Sequence, residues 1–446
     1  MMGRLTAQEE LFYEFRLDDH VPPDHLLRRI DAVVDFGFVH ARLAASYSHT
    51  GRPSVDPELM LRMLLVGYLY GVRSERRLCD DVHLNLAFRW FCKLGLNGRV
   101  PDHSTFSKNR YARFREEELF RVFFEEVVRA CVAAGLAGGR ESAVDASFIE
   151  ADANWEKKLP GQAGPAAWGE TDKVSRPVRD YLEALDAALP PEARETAPQK
   201  HVSPVDPQAG WSTKSGRGRF GYSTNYYIDT ETSLILDVEA SPARFGAEVS
   251  TTPVMVRRTH ERLGVRPERL AADAAYGSAP LLRWLLDEGL EPHIPVMERV
   301  GQTRGKLTRD AFTYDPPTDS FTCPEGHKLT YRGMDWSAGA RTYFAKPSDC
   351  AACPSKPSCT DGPARRVIRL THEDARDQVR ALKDTPGYVR SRQLRKRIER
   401  LFGHLKRNMK LTRLKLRGLK GAAEEFLLAA TAQNLQLLAS RAAQPA

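Results

Sequence analysis

The stretch ESAVDASFIEADAN, residues 141–154, is where the sequence changes from helical to strand-like patterning. Apolar and small residues alternate there with Asp145 and Ser147, which is the period-two pattern of a β-strand. Upstream, residues 1–140 carry apolar side chains at helical spacing. The change separates a helical N-terminal region from a β-containing remainder, and it puts the carboxylate of Asp145 inside a strand.

The residues after this stretch predict a mixed order of strands and helices. FGYSTNYYIDTETSLILDVEASPA, residues 220–243, has two β-rich runs around turn residues and predicts a hairpin. Next come a helix over 247–263, a short strand in 268–277 that ends at Asp273, a helix over 279–288 and a strand over 292–296. This β-β-α-β-α-β order requires a mixed sheet with helices packed on its faces.

The N-terminal region contains several helical segments. Ser74 is the predicted N-cap of one of them. A short helix, a Gly/Pro break at 97–101 and a polar helix with Lys108 and Arg110 suggest a helix-turn-helix. An ordinary helical bundle with solvated polar faces is the alternative. The predicted fold class is therefore α+β, with a helical N-terminal DNA-binding domain at 1–140. The helical segments are 55–72, 74–96, 101–114 and 117–139.

The composition and the net charge of the chain favour a DNA-binding protein. The chain has 446 residues, enough for two or three domains, and 28% of them are charged. The formal net charge of +8 favours an anionic partner, most often nucleic acid, although a basic protein without such a partner stays open. No signal-peptide pattern and no membrane-spanning apolar run are visible, so we expect a cytoplasmic protein with no membrane partner.

Residues 155–219 differ from their surroundings in composition. Eight of the 28 prolines fall between Pro160 and Pro207. Apart from a helical stretch near 173–189, this composition predicts a mobile Pro-rich insertion in the α/β part of the chain.

The last segment of the chain, 384–440, is predicted to be helical. Within it RKRIERLFGHLKR, residues 395–407, predicts an amphipathic helix with a single acid, Glu399. The wider window 388–418 holds twelve Lys or Arg residues and no other acid. The helical spacing puts Glu399 beside the apolar stripe, where a helix can dock on a sheet. An i,i+4 ion pair with Arg395 would explain a lone acid in this helix, but it would leave the two strand aspartates unexplained.

Asp145, Asp273 and Glu399 are the acids that stand out by placement. Converging carboxylates repel one another unless a cation lies between them, and hard oxygen ligands select Mg²⁺ or Mn²⁺. Two such ions about 3.5–4 Å apart would serve an in-line phosphoryl displacement. The surrounding Lys and Arg side chains would then contact DNA phosphates. The pattern predicts metal-dependent phosphoryl transfer on DNA.

Four of the seven cysteines cluster late in the chain, at Cys323, Cys350, Cys353 and Cys359. One close C-x-x-C pair with two outlying cysteines suits a tetrahedral structural Zn²⁺, with His327 as a substitute ligand. Reduced cysteines without a metal are the alternative. The other three cysteines are predicted to be core residues.

Three motifs resemble the DDE transposases of bacterial insertion sequences. They are VDAS around Asp145, ADAAYGS around Asp273, and an R-(3)-E-(6)-K pattern of Arg395, Glu399 and Lys406. The segments GRPSVDPELMLRMLL and PDHSTFSKNR are similar to the N-terminal DNA-binding domain of that family. The resemblance implies that the three acids form a catalytic triad that binds Mg²⁺ or Mn²⁺. It also implies that the arginine and the lysine contact DNA phosphates.

The resemblance covers about residues 50–440. It implies a ribonuclease-H-like mixed α/β catalytic domain at 141–299 and 371–440, and a cysteine-rich insertion at 300–370 such as some members of the family carry. One related pattern has a tyrosine three residues before the arginine, where this chain has Arg392.

The implied function is that of a transposase. Such an enzyme cleaves DNA at the terminal inverted repeats of its insertion sequence and transfers the strand to target DNA. The family analogy implies a homodimer on DNA, in the bacterial cytosol at the nucleoid. A catalytically inactive DNA-binding regulator derived from a transposase is the alternative from another class. A nuclease that cleaves without joining is a third option.

Overall fold

The computed structural model describes residues 15–47, 50, 54–161, 165–168, 173–186, 200–213, 216–244, 246–296, 305–336 and 339–442. Parts of the predicted Pro-rich insertion, among them 187–199, lie outside these ranges. The chain forms two compact units. The first unit contains Met1–Gly138, Ala146–Val265 and Arg397–Ala446, and the second contains Gly139–Asp145 and Arg266–Lys396.

The N-terminal part of the first unit is helical, as the apolar spacing predicted. Ser74 caps α5 as expected, because its side chain accepts a hydrogen bond from Arg77 N. The predicted segment over 74–96 divides into α5 and α6 at Asn85, whose side chain caps α6. The helices are α1 (Leu17–His20), α2 (Leu26–Val33), α3 (Phe38–Leu43), α4 (Pro57–Leu69), α5 (Glu75–Leu84), α6 (Leu86–Phe91), α7 (Ser104–Asn109) and α8 (Leu119–Ala133).

The predicted strand after α8 is β1 (Glu141–Glu150). It contributes to both units, because its residues up to Asp145 belong to the second unit and those from Ala146 belong to the first. The first unit continues with β2 (Leu159–Pro160), α9 (Arg176–Asp186), β3 (His201–Val202), β4 (Gly210–Ser212), β5 (Arg219–Asp229), β6 (Ile235–Pro242) and α10 (Ala247–Leu263).

The predicted hairpin is confirmed, because β5 and β6 pair antiparallel. Strand β4 pairs with the other edge of β5, so the end of the Pro-rich stretch is part of this sheet. In the first unit β5 is also the neighbour of β1. Helix α10 packs on β5 and β6, and β5 is buried along almost its whole length.

The second unit contains β7 (Arg269–Ala271), α11 (Ala279–Asp287) and β8 (Glu291–His293). Strand β7 runs parallel to β1, and β8 runs parallel to β7. The predicted α+β class, with a helical N-terminal region and a mixed α/β part, is confirmed.

A second sheet in the second unit carries the clustered cysteines. Its strands follow the order β13-β12-β11-β10-β9, and all neighbours are antiparallel. Phe312, Phe321, Leu329, Tyr343 and Val367 form its core. The elements are β9 (Thr313–Asp315), β10 (Ser320–Thr322), β11 (Lys328–Asp335), β12 (Ala340–Phe344), α12 (Pro347–Ala351), α13 (Lys356–Cys359) and β13 (Arg366–Leu370).

The C-terminal segment is helical, with its longest interruption at 408–417. Its helices are α14 (Glu373–Leu382), α15 (Pro386–Leu394), α16 (Lys396–Arg407) and α17 (Gly418–Ala442). Within the first unit α17 packs against α2, α4, α8 and β6. Residues 408–417 leave the helical path because Glu150 bonds to them: Glu150 N donates to Thr412 O at 3.1 Å, and Leu414 N donates to Glu150 O at 2.8 Å.

Candidate active site

Asp145 and Asp273 occupy equivalent positions on two neighbouring parallel strands. The last register pair of β1 and β7 is Ala143 with Ala271, and each aspartate follows two residues later. Asp145 lies in the middle of β1, which continues to Glu150, and Asp273 follows the last residue of β7 by two positions. Two of the three predicted acids therefore lie just beyond the last register pair of two neighbouring strands.

Asp273 is oriented by the turn that it begins. Its Oδ1 accepts a hydrogen bond from Ala275 N at 2.8 Å, as the N-cap of the 3₁₀ turn Ala274–Tyr276. Tyr276 itself is buried, in agreement with its interpretation as a core tyrosine. The carboxylate of Asp273 thus has a fixed direction at the end of its strand.

Asp145 forms an ion pair with Arg395. Arg395 Nη1 lies 3.0 Å from Asp145 Oδ2, and both side chains are less than one-fifth exposed, at 16% and 19%. A charge-assisted hydrogen bond in a half-buried setting is stronger than a neutral one. The arginine that the sequence assigned to DNA phosphates therefore contacts a candidate catalytic carboxylate within the protein.

Glu399 lies on the first turn of α16 in the first unit and is exposed. The adjacent face of α16 buries Ile398, Phe402 and Leu405, so the predicted amphipathic helix is confirmed. Asp145 and Asp273 belong to the second unit. Among the described residues, no three His, Cys, Asp or Glu side chains stand close enough together to hold a metal ion. The role of Glu399 as third ligand stays a prediction.

Lys406 lines a groove of the first unit that the sequence did not reveal. The groove has a volume of about 480 Å³ and is lined by Phe148, Glu150, Arg217, Arg219, Lys406 and Thr412. We call it the Lys406 groove. Burial lowers the pKa of the Lys406 ammonium. The lining holds three basic side chains and one acid, so it suits an anion. The run GRGRF before the hairpin was the available sequence signal.

Two segments of the chain match family models. Residues 15–112 match a transposase domain (DUF772), and residues 322–439 match a transposase DDE domain. This chain is a DDE transposase. The second segment of the transposase contains Arg395, Glu399 and Lys406, whereas Asp145 and Asp273 lie between the two matched segments.

Further comparisons add little to this identification of the transposase. A comparison with curated proteins gives no match. One solved structure, described as a cryo-EM structure of a piggyBac transposase synaptic complex with hairpin DNA, is similar with a TM-score of 0.34 and 10% sequence identity. That alignment covers 94% of this chain and 74% of the other. In the described part of the transposase, no helix is long and apolar enough to cross a membrane.

Several arginines of the basic window are bound inside the transposase. Besides Arg395, Arg392 donates to Ala272 O at 3.1 Å and Arg397 donates to Thr230 O at 2.6 Å. Asp152 forms ion pairs with two more, Arg413 and Arg417. Part of the excess positive charge in 388–418 therefore fixes the fold rather than facing solvent.

The two N-terminal basic candidates differ in environment. Lys108 is exposed on α7. Arg110 is only 6% exposed, and its Nη1 lies 3.0 Å from Glu75 Oε1. Within the transposase, Lys108 is therefore open to a ligand in this conformation and Arg110 is engaged in a buried ion pair.

The four clustered cysteines of the transposase share one small cavity, together with His327. They come from the turn after β10, from α12 and from α13 with the loop between these helices. The pKa of the Cys359 thiol is raised, chiefly by burial and also by the other three cysteines, while Arg365 opposes the shift. Thiolates are the ligands that Zn²⁺ prefers in structural sites, although in the described part of the chain no three of these side chains stand close enough together to hold a metal ion. Cys92 and Cys131 are buried and Cys79 is half-buried.

Proposed function

We propose that this transposase cleaves DNA at the terminal inverted repeats of an insertion sequence and transfers the strand to target DNA. The proposed catalytic triad is Asp145, Asp273 and Glu399, with Mg²⁺ or Mn²⁺ as cofactor. The observation that carries the proposal is the pair of aspartates that each follow the last register pair of β1 and β7 by two residues. Carboxylates beside the carboxyl end of a parallel strand suit a site that faces a substrate there.

The donor chemistry at this position fits a divalent cation. Carboxylate oxygens are the ligands that Mg²⁺ selects. Asp145 already pairs with one cationic group, the Arg395 guanidinium, at 3.0 Å. The Asp145 carboxylate therefore accepts a positively charged partner. Asp273 is held in position by Ala275 N. When bound, the metal would activate the attacking hydroxyl and stabilise the leaving oxygen of the phosphodiester.

We propose that the basic side chains of the chain hold the DNA backbone. Lys406, Arg217 and Arg219 would bind phosphates in the Lys406 groove, which their charges suit. A guanidinium has five donors, so Arg395 can bond Asp145 and a phosphate oxygen at once. In the N-terminal region Lys108 would contact phosphates, and Arg110 would support the helix that presents it. A homodimer on DNA, in the bacterial cytosol at the nucleoid, completes the proposal.

A cleavage assay tests the assignment of the triad. The full-length protein is incubated with DNA from the ends of its own element in Mg²⁺, Mn²⁺ or EDTA. We expect metal-dependent nicking at a defined end that is lost in Asp145→Asn, Asp273→Asn and Glu399→Gln while DNA binding stays. Asn at 273 keeps the oxygen that accepts from Ala275 N, so this variant removes the charge but retains the turn. Glu261→Gln, on an exposed position of α10, is the matched control.

Other outcomes of this assay point to other functions. Full strand cleavage by Asp273→Asn would show that the assignment is wrong. DNA binding without nicking in any metal would favour the inactive DNA-binding regulator. Nicking without joined products when target DNA is supplied would favour a nuclease that does not transfer strands.

We also propose that Cys323, Cys350, Cys353 and Cys359 bind a structural Zn²⁺. The support is their common cavity in the second sheet. Metal analysis of the purified protein should give about one zinc per chain, and Cys353→Ser should lose it. Cys79→Ser, which changes a half-buried cysteine outside the group, should keep it. Wild-type protein without zinc after purification in its presence would exclude the site.

A further inference from the structure

A row of charged side chains crosses the three parallel strands of the second unit. Glu141 on β1, Arg269 on β7 and Glu291 on β8 are register partners. Arg269 Nη1 donates to Glu141 Oε1 at 2.9 Å, and its Nε donates to Glu291 Oε1 at 3.3 Å. Opposite charges on directly paired residues of one sheet face stabilise that pairing. The row therefore fixes the alignment of β1, β7 and β8.

Two further residues tie helix α15 to this row. Ser391 on α15 donates its hydroxyl to Glu141 Oε2. His293 on β8 has Nδ1 2.6 Å from Ser391 Oγ and Nε2 2.7 Å from Glu291 Oε1. We call these five residues the buried row.

The serine of the buried row is closed to substrate. Ser391 is 1% exposed and His293 is fully buried. A serine, a histidine and an acid joined by hydrogen bonds are typical of a nucleophilic site. Here these groups lie inside the protein, where a substrate does not reach them. Their hydrogen bonds serve the packing of α15 on the strands, supported by the ring of Tyr388, whose centroid lies 5.3 Å from that of His293.

The single hydroxyl proton of Ser391 sets the directions of the hydrogen bonds around this residue. A serine hydroxyl has one proton, and Ser391 gives it to Glu141. His293 Nδ1 must then donate to Ser391 Oγ. The buried Glu141 carboxylate thus accepts from both Ser391 and Arg269, as the burial of a charge requires.

Helix α15 also carries the groups that contact the candidate catalytic strands. Arg392 donates to Ala272 O, the carbonyl just before Asp273, at 3.1 Å. Arg395, which follows Ser391 by one helical turn, pairs with Asp145 at 3.0 Å. Asp145 follows Glu141 by four residues on β1, on the same strand face. The Ser391–Glu141 and Arg395–Asp145 contacts thus join α15 and its C-cap residue, Arg395, to β1.

We infer that the buried row is a positioning device for the active site. It holds α15 on β1 and β8, so that Arg395 meets Asp145 and Arg392 meets the backbone before Asp273. Ser391 and His293 are positioning residues, since they act through the arginines of α15. The inference rests on the proposed function, because it takes Asp145 and Asp273 as catalytic. Partners that orient the groups at a metal site commonly matter 10- to 100-fold.

The test uses full-length protein and two independent readouts. Ser391→Ala removes the hydroxyl, and His293→Gln removes the partner of that hydroxyl, whereas His293→Asn keeps an amide near the Nδ1 position. Hydrogen exchange over 386–396 reports whether α15 is held. Strand cleavage and DNA affinity report whether the active site is positioned. Ser250→Ala is the matched control, because this helical serine bonds only within α10, from Oγ to Ala247 O at 2.9 Å.

We expect faster exchange over 386–396 in Ser391→Ala and His293→Gln, with smaller changes in His293→Asn and none in the control. The cleavage rate should fall about 10- to 100-fold while DNA affinity stays at the wild-type value. Unchanged exchange in both variants would overturn the inference, whether or not cleavage is detected. Faster exchange with wild-type cleavage would overturn the positioning role. Failure of the proposed function would appear separately, as wild-type cleavage by Asp273→Asn.

Discussion

Replacing Asp206 by asparagine should remove a pH-dependent part of the stability of the first unit. Asp206 is fully buried. Its Oδ1 accepts from Tyr222 Oη at 2.6 Å and from Gly418 N at 3.2 Å, whereas its Oδ2 is buried without a hydrogen-bond partner. Burial is the largest cause that raises the pKa of this carboxyl from 3.8 to about 6. The folded protein therefore holds the Asp206 proton more tightly than the unfolded chain does.

The sign and the size of this pH effect on stability follow from the linkage between proton binding and folding. A raised carboxyl pKa adds stability below the unfolded value of 3.8, and that stability is lost as pH rises through about 6. Since a tenfold difference in proton affinity is worth about 1.4 kcal/mol, the whole effect is about 3 kcal/mol. About 1 kcal/mol of it falls between roughly pH 5 and pH 7.5 by the same relation.

Urea unfolding of wild type and Asp206→Asn at those two pH values measures the effect. Asparagine keeps an oxygen for Tyr222 and Gly418 but has no proton to gain. From pH 5 to 7.5, the wild type should lose about 1 kcal/mol more unfolding free energy than the variant does. Asp19→Asn, at an exposed position of α1, should behave as wild type. An equal loss in wild type and Asp206→Asn would refute the reasoning.

Two more predictions concern the Lys406 groove. Lys406→Gln should weaken DNA binding and reduce the slope of log affinity against log salt concentration by about 1. Fluorescence anisotropy measures these affinities, and equal slopes for wild type and variant would exclude a phosphate contact. Because burial lowers its pKa, wild-type binding should weaken at alkaline pH, and the variant should lose that change. Gly221→Ala would put a methyl group 2.4 Å from the Phe148 ring and 2.5 Å from Ile149 O. This overpacking should cost about 1–3 kcal/mol of stability and so lower the unfolding temperature. Gly95→Ala, which has nothing within 4 Å, should leave the unfolding temperature unchanged. Equal melting curves for the two variants would contradict this prediction.

The sequence predicts the elements of the α/β part well where the pattern has clear boundaries. The helix expected over 247–263 is α10, Ala247–Leu263. Glycines bound it on both sides, and Gly264 adopts a left-handed conformation with φ of 67°, which is the usual end of a helix. The hairpin expected over 220–243 is β5 and β6. In these elements local propensity and tertiary packing agree.

The basic C-terminal segment shows where the sequence falls short. Its pattern predicts helix up to residue 440, yet 408–417 is not helical. No glycine or proline marks the end of α16, and Lys410 adopts a left-handed conformation with φ of 55°. Two backbone hydrogen bonds of this segment go to Glu150 on β1, a partner more than 250 residues away in sequence. Such long-range pairing leaves no local signal, and for the same reason the internal partners of the arginines could not be read from the sequence.

Two acids on one face of β1, Glu141 and Asp145, show why a motif finds the candidate site but does not define its limits. They are four residues apart on that face, and strand patterning treats them alike. Their surroundings separate them: Glu141 is 3% exposed and is bonded to Arg269 and Ser391, whereas the Asp145 side chain is 19% exposed and lies beyond the last residue of β1 that pairs with β7. A buried carboxylate must have its charge matched inside the protein, so it is committed to the fold. A partly exposed carboxylate can exchange its arginine partner for another cation, and this freedom makes Asp145 rather than Glu141 the residue to test for metal binding.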